Sequence, residues 1–231
     1  MPDPLVMLIT GSSRGIGRAL AEHYLARSWH VHGCSRGEAE FNHERYTHHT
    51  CDVSNEASMR VMMDAIRKKH RRLDALICNA GVASMNHALL TPMSTVEHVM
   101  RTNFFGTFLA AREAAKLMHG RGRIVTMGSV AVPLKLAGEA AYAASKAATV
   151  SLTQVLAKEL GPLGITCNLV GPSPVQTDLI RGVPADKMQA LLNQLTLPRL
   201  GTFEDVANVV DFFLRPESDY VTGQCIYLGG V

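Results

Sequence analysis

Seven short apolar runs alternate with helical patterns along the 231 residues, and this alternation restricts the fold more than any other feature. Strands are predicted at 5–10, 30–35, 45–51, 73–79, 122–129, 164–172 and 223–230, and helices near 15–28, 55–70, 94–119, 140–161 and 203–214. Strands that alternate with helices across short connections form βαβ units and a parallel sheet. Residues 1–231 are therefore predicted to form a single α/β domain of the doubly wound class.

Composition and charge exclude several classes of protein. The net charge is +3 with the basic residues scattered, whereas nucleic-acid binding usually needs a dense basic stripe. The densest basic run, RKKHRR at 67–72, is interpreted as the solvated last turn of a helix. No run of about 18 apolar residues occurs, so no membrane span is predicted. We expect neither a nucleic-acid partner nor a membrane.

The cysteines and histidines show no ligand pattern for a metal. The five cysteines fall in or at the end of predicted strands, without CxxC spacing: Cys34, Cys51, Cys78, Cys167 and Cys225. They are predicted to be buried free thiols in a reducing compartment. The N-terminus has no basic signal region, so a cytoplasmic location is expected. His48 and His49 are adjacent and would point to opposite faces of a strand, and no metal site is predicted.

The stretch GSSRGIG at 11–17 follows the first predicted strand and opens the first predicted helix. Its glycines, Gly11, Gly15 and Gly17, are spaced GxxxGxG rather than the GxGxxG of the dinucleotide fingerprint. Glycine permits a tight turn and a close approach of the backbone to a pyrophosphate, and the helix N-terminus offers free N–H groups. The stretch therefore predicts a phosphate-binding turn.

Two arginines indicate which dinucleotide would bind. NAD-binding proteins usually have an acidic residue after the second strand that binds the ribose 2′-hydroxyl, but Arg36 stands in that region here. An arginine pairs well with a 2′-phosphate, and Arg14 supplies a second cation from the turn. The predicted cofactor is therefore NADP(H).

Tyr142 and Lys146 are four residues apart in a helical pattern and therefore share a helix face. Reduction of a ketone needs a proton donor for the nascent alkoxide. A free tyrosine has a pKa near 10, and a neighbouring ammonium is expected to lower that pKa. Ser129 ends the preceding strand, at the edge where open α/β sheets bind ligands, and can hydrogen-bond the carbonyl oxygen.

Together with NAG at 79–81 and Asn103, these motifs resemble the short-chain dehydrogenase/reductase family over essentially the whole chain. The resemblance implies a Rossmann-like sheet of seven parallel strands in the order 3-2-1-4-5-6-7, flanked by helices. It also implies NADPH-dependent reduction of a ketone to a secondary alcohol by hydride transfer.

The resemblance assigns roles to matching positions. Tyr142 would be the acid/base, Lys146 would bind the nicotinamide ribose, Ser129 would orient the carbonyl, and Asn103 would hold a water that links Lys146 to solvent. Asp52 would contact the adenine, and Asn79 would steady the central strand. The full predicted cofactor set is Gly11, Ser13, Arg14, Gly15, Ile16, Gly17, Arg36, Asp52, Val53, Asn79, Ala80, Gly81, Tyr142, Lys146, Pro172, Val175 and Thr177.

Three segments depart from the family pattern or stand apart from the regular alternation. Ser173 replaces the glycine that usually follows Pro172, which limits positive φ there and predicts a slightly different loop. The segment 37–45 is too short for the usual second helix. Residues 177–201 carry two prolines and several leucines after a late strand, and they are predicted to form a substrate lid.

Three functions remain open. The layout after residue 177 is similar to that of bacterial 3-oxoacyl-(acyl-carrier-protein) reductases. If this chain has that function, its Arg181 and Arg121 would meet an acidic carrier protein. A reductase or dehydrogenase of a free small carbonyl or alcohol is the alternative. A non-catalytic NADP-binding regulator is a third function, of another class, and would be expected to lack Tyr142 or Lys146. Small residues in the helix at 140–157 and the family resemblance favour a homodimer or homotetramer.

Overall fold

The apolar runs become the strands of one parallel sheet because the central ones are buried on both faces. A computed structural model describes residues 4–231, so the first three residues of the predicted domain lie outside it. The strands are β1 (Val6–Thr10), β2 (His30–Ser35), β3 (Tyr46–Thr50), β4 (Ala75–Cys78), β5 (Gly122–Met127), β6 (Ile165–Gly171) and β7 (Cys225–Tyr227). They pair in parallel in the order β3-β2-β1-β4-β5-β6-β7, which confirms the predicted fold class.

Helices cover both faces of this sheet. They are α1 (Gly15–Leu25), α2 (Glu56–His70), α3 (Met93–Met100), α4 (Gly106–Ala115), α5 (Ala131–Leu134), α6 (Ala140–Leu160), α7 (Ala185–Leu192) and α8 (Phe203–Leu214). Alternate residues of β1 belong to different cores, with Leu8 facing α2, α4 and α6 and Ile9 facing α1 and α8. The period of two along a strand thus produces two apolar layers.

The predicted helix at 94–119 is present, but it contains a π-turn and ends at Ala115. Helix α3 passes through a π-helical turn, Arg101–Phe105, into α4, which ends at Ala115. A π-turn accommodates one extra residue and often marks a functional position in a helix. Here the turn contains Asn103, whose buried side chain bonds to two other segments.

Other local predictions agree with the structure. Residues 36–45 join β2 to β3 without a helix, as their length predicted. The basic run ends α2 at His70, and Arg71 closes the helix in the left-handed conformation. All five cysteines are free, and Cys225 alone is partly exposed. In the described part of the chain no helix is both long and apolar enough to cross a membrane.

Candidate active site

Two adjoining cavities lie at the carboxyl ends of the strands, where ligands bind in open α/β sheets. The glycine-turn cavity, of about 650 Å³, is bordered by residues 11–16 and by the ends of β2 and β4. The tyrosine cavity, of about 470 Å³, is bordered by Ser129, Tyr142 and Lys146. Ile16, Gly81 and Thr177 line both cavities, so the two form one elongated groove.

The groove gathers nearly all of the predicted site residues. The glycine-turn cavity is lined by Gly11, Ser13, Arg14, Gly15, Ile16, Arg36, Asp52, Val53, Asn79, Ala80, Gly81 and Thr177. The tyrosine cavity is lined by Ser129, Tyr142, Lys146, Pro172 and Val175. Gly17 and Asn103 lie beneath the surface of the groove, where they pack and hydrogen-bond.

The glycine turn has the conformation that its sequence requires. Gly11 has a φ of +70°, and a Cβ there would lie 2.7 Å from the Cα of Ala80. The side-chain amide of Asn79 donates to the carbonyl oxygens of Thr10 and Gly11, at 3.0 Å each, and ties β4 to the turn. Helix α1 then begins at Gly15 with no side-chain cap from Arg14, which leaves N–H groups available to an anion. The turn therefore fits the pyrophosphate of a dinucleotide.

The two arginines at this end differ in their surroundings. The Arg14 guanidinium pairs with Asp178, with 3.4 Å between Nη1 and Oδ2, so the turn contacts the start of the 177–201 segment. Arg36 is exposed, and its side chain has no ion pair within residues 4–231. Asp52 accepts hydrogen bonds from the backbone and hydroxyl of Ser54. Of the two cations, Arg36 is the one free to meet a 2′-phosphate without breaking an existing pair.

The tyrosine cavity brings Ser129, Tyr142 and Lys146 together from β5 and α6. Lys146 is buried, and its Nζ donates to the carbonyl oxygen of Met127 at 2.8 Å, which holds α6 against the end of β5. The same Nζ lies 5.8 Å from the centre of the Tyr142 ring. Ser129 follows β5 directly, and its Oγ accepts from the N–H of Ala131 at 3.1 Å. The turn after β5 and one face of α6 therefore place Ser129, Tyr142 and Lys146 around the tyrosine cavity.

Burial sets the pKa values of this group. Burial raises the pKa of Tyr142 to about 12, partly offset by a hydrogen bond from Ser129. Burial lowers the pKa of Lys146 to about 8. The expectation that Lys146 lowers the pKa of Tyr142 was wrong for this structure, because desolvation of the phenol outweighs the other influences. The phenol therefore keeps its proton at neutral pH and is suited to donate it.

Asn103 joins three segments beneath the groove. Its Oδ1 accepts from the N–H of Val82 at 2.8 Å, and its Nδ2 donates to the carbonyl oxygen of Val82 and to Ser145, at 2.9 Å each. Ser145 in turn donates to the carbonyl oxygen of Tyr142 at 2.7 Å. Asn103 thus positions the helix that carries Tyr142 and Lys146. Its predicted contact with a water stays a prediction.

Ser173 is accommodated without the positive φ that the family's glycine would permit. Non-glycine residues with positive φ in the described chain are Ser28, Arg71 and Lys135, and Ser173 is not among them. Its side chain instead packs against Gly201, where a Cβ would lie 2.9 Å from the Ser173 Oγ, and lies beside Gly229. Thr177, further along the same loop, lines both cavities.

Two cations proposed from the sequence have different outcomes. Arg181 is exposed within the segment 177–201 and forms an ion pair with Asp178. The placement of Arg121 near the mouth was wrong, because Arg121 precedes β5 and parallel strands begin at the edge of the sheet opposite to the groove. Glu139, which is buried and lines the tyrosine cavity, was not predicted from the sequence. Its signal was a spacing of three residues before Tyr142, which puts both on one helix face.

Comparisons with known proteins agree with this geometry. Residues 11–230 match the family described as enoyl-(acyl carrier protein) reductase. The 3-oxoacyl-(acyl-carrier-protein) reductase FabG of Salmonella typhimurium is 31% identical over 97% of this chain and 96% of its own. The cyclic-di-GMP-binding biofilm dispersal mediator protein of Escherichia coli K12 is 34% identical over 94% of this chain and 92% of its own.

A solved structure of ElxO with NADP bound superposes with a TM-score of 0.90 at 26% identity, over 98% of this chain and 97% of that one. The match therefore extends over nearly all of both chains. The chain therefore belongs to the short-chain dehydrogenase/reductase family of oxidoreductases.

Proposed function

We propose that this protein reduces a ketone to a secondary alcohol with NADPH. The observation that carries the proposal is the convergence of Ser129, Tyr142 and Lys146 on a cavity that opens into the glycine-turn cavity. When bound, NADPH supplies the hydride. The likeness to ElxO with NADP bound and the unpaired Arg36 support NADP(H) over NAD(H).

The chain's own residues would handle the proton. The Tyr142 phenol, with a pKa of about 12, donates its proton to the carbonyl oxygen as negative charge develops there. The Ser129 hydroxyl donates to the same oxygen and orients it. Lys146, held by its bond to Met127 with its Nζ 5.8 Å from the centre of the Tyr142 ring, would bind the nicotinamide ribose beside the phenol.

The segment 177–201 is proposed to act as a substrate lid. Thr177 and Asp178 border the glycine-turn cavity, and α7 borders the tyrosine cavity with the apolar side chains of Met188 and Leu191. A lid that bridges both cavities would exclude water from the reacting atoms. The Arg14–Asp178 ion pair would couple the conformation of the glycine turn to the position of the lid.

A 3-oxoacyl chain on an acyl carrier protein is the first candidate substrate. The relative FabG, which aligns over nearly the full length, supports it, as do the apolar walls of the tyrosine cavity. Arg181, exposed on the lid, would meet the acidic carrier. A free ketone is the second candidate, because the buried Glu139 carboxyl in this cavity favours a substrate with a hydrogen-bond donor.

NADPH oxidation measured with an acetoacetyl thioester, beside a panel of free ketones and beside NADH, tests the proposal. Turnover of the thioester would support the carrier-protein substrate, and turnover of free ketones alone would move the enzyme to small-molecule metabolism. Binding of NADPH without turnover of any carbonyl would favour a non-catalytic NADP-binding regulator.

A homodimer or homotetramer is proposed for the assembly. Phe105, Phe108 and Val155 are exposed on the surface formed by α4, its π-turn and α6. Burial of such side chains between copies would remove apolar surface from water. Light scattering of the purified protein tests this, and a monomer at micromolar concentration would contradict it.

A further inference from the structure

We propose that Glu139 is a substrate-binding residue that selects ketones carrying a hydroxyl group beside the carbonyl. This inference rests on the proposed ketone reduction and narrows its substrate class. It concerns a carboxyl group that the proton transfer described above does not use.

The backbone fixes Glu139 at the edge of the reacting centre. Glu139 caps the N-terminus of α6, three residues before Tyr142, and its carbonyl oxygen accepts from the N–H of Ala143 at 2.7 Å. The preceding Gly138 has a φ of +86°, and its carbonyl oxygen accepts from the N–H of Asn86 at 2.8 Å. The left-handed turn and its tether hold the start of the helix, so the side chain enters the tyrosine cavity beside Tyr142.

The Glu139 carboxyl has no partner in the described chain. It is 9% exposed, and residues 4–231 offer it neither a hydrogen bond nor an ion pair. The cavity that it borders is mostly apolar, and its lining includes Val130, Leu136, Val183, Met188 and Leu191. The charged groups on the same cavity are Lys146, which is already bonded to Met127, and Lys187, which is exposed at the rim. Burial raises the pKa of Glu139, as expected for a carboxyl without a donor.

A buried acceptor without a donor selects the ligand that supplies one. A 3-oxoacyl thioester presents two carbonyl oxygens near the reacting carbon, both of which are acceptors, so it would leave an ionised Glu139 carboxylate unsatisfied. A hydroxyl beside the ketone donates to a carboxylate and accepts from a carboxylic acid, so it satisfies Glu139 in either protonation state. A substrate with an ammonium group in place of the hydroxyl would bring a second charge into an apolar cavity, and that ammonium would lose its hydration.

The expected preference for hydroxy ketones over ketones without the hydroxyl is large, because a buried polar group loses its hydrogen bond when the substrate lacks the donor. A site that hydrogen-bonds a substrate hydroxyl rejects the analogue without it by up to about 10⁵-fold, whereas an apolar pocket discriminates far less. For this cavity, which is partly open at the lid, we expect at least about a tenfold preference in kcat/KM.

The test compares acetoin with methyl isopropyl ketone, in which a methyl group replaces the hydroxyl. The wild-type protein, assayed by NADPH oxidation, should prefer acetoin by at least about tenfold. Glu139→Leu should bring the ratio close to one, and Glu139→Gln, which keeps a carbonyl acceptor and nearly the same shape, should retain part of it. Glu217→Gln is the matched control, because Glu217 is an exposed carboxylate in the turn after α8, outside the cavity lining and the segment 177–201, and its ratio should equal that of the wild type.

The outcomes separate this inference from the proposed function. An equal rate on both ketones, a ratio that persists in Glu139→Leu and Glu139→Gln, or a stronger preference for the amine analogue of acetoin would each overturn the assignment while leaving ketone reduction intact. Higher activity of Glu139→Gln on an acetoacetyl thioester, with lower activity on acetoin, would support it. If the wild-type protein reduces no ketone with NADPH, the proposed function fails and this assignment fails with it.

Discussion

Replacement of Tyr142 by phenylalanine removes the proposed proton donor and little else. The pKa of about 12 means that, at pH 7, about one molecule in 10⁵ carries a phenolate, so nearly every molecule can donate a proton. Loss of a general acid costs about 10²- to 10⁴-fold in rate, which corresponds to about 3–5 kcal/mol of barrier. The aromatic ring remains, so the walls of the cavity keep their shape.

The assay measures kcat for ketone reduction and, separately, the Kd for NADPH by quenching of protein or cofactor fluorescence. We expect kcat to fall within that range in Tyr142→Phe, with the Kd for NADPH changed by less than about threefold. The lost bond with Ser129 should lower the free energy of unfolding by about 1 kcal/mol.

Tyr24→Phe is the matched control. The Tyr24 hydroxyl donates to Asp211 at 2.7 Å between α1 and α8, away from the groove. This variant should lose about 1.5–3 kcal/mol of stability, because the bond is to a charged group, and should keep its kcat. Turnover of Tyr142→Phe within tenfold of the wild type would refute the assigned proton donor.

Three further predictions follow from the charges of the site and the sheet. Arg36→Ala should raise the Kd for NADPH about 10- to 100-fold and leave that for NADH unchanged, since a charged hydrogen bond contributes about 1.5–3 kcal/mol; equal losses for both cofactors would contradict the 2′-phosphate contact. Oxidation of the alcohol product with NADP+ needs the Tyr142 phenolate and should rise about tenfold per pH unit below the pKa of about 12; a flat profile would exclude phenolate as the base. Burial lowers the pKa of His32 from 6.5 to about 3, so as the pH falls the unfolded chain binds a proton at this histidine before the folded chain does. The free energy of unfolding should therefore drop by about 2 kcal/mol between pH 6.5 and about 5. Denaturation by urea at the two pH values measures this drop, which His32→Leu should weaken.

Short-range patterns were sufficient for the fold and for the composition of the groove. Alternation of apolar runs and helical patterns predicted the strands of the sheet, most directly the central ones, because a strand buried on both faces is mostly apolar. The spacing of Tyr142 and Lys146 put both on one helix face, because the helical repeat is the same in every protein. The glycine turn was predictable for the same reason, since Gly11 adopts a conformation that other residues rarely adopt.

The sequence patterns did not predict contacts between segments that are distant along the chain. The Arg14–Asp178 pair joins residues 164 positions apart, and the bonds of Asn103 to Val82 and Ser145 depend on a π-turn that no local pattern indicated. Arg121 is close in sequence to a strand that ends in the groove, but it lies at the other end of that strand. Distance along the chain says little about distance in space once the strands are parallel.

The sequence by itself determined which residues share an element and which end of the sheet they reach, because helix and strand periods depend on backbone geometry alone. Only the tertiary structure decided how far each group is buried from water and which groups it contacts. Burial raises the pKa of Tyr142, and it leaves the Glu139 carboxyl without a donor among apolar side chains from α7 and from the turn after β5. Desolvation depends on every segment that covers a group, so these properties arise when α7, the turn after β5 and the start of α6 pack around one space.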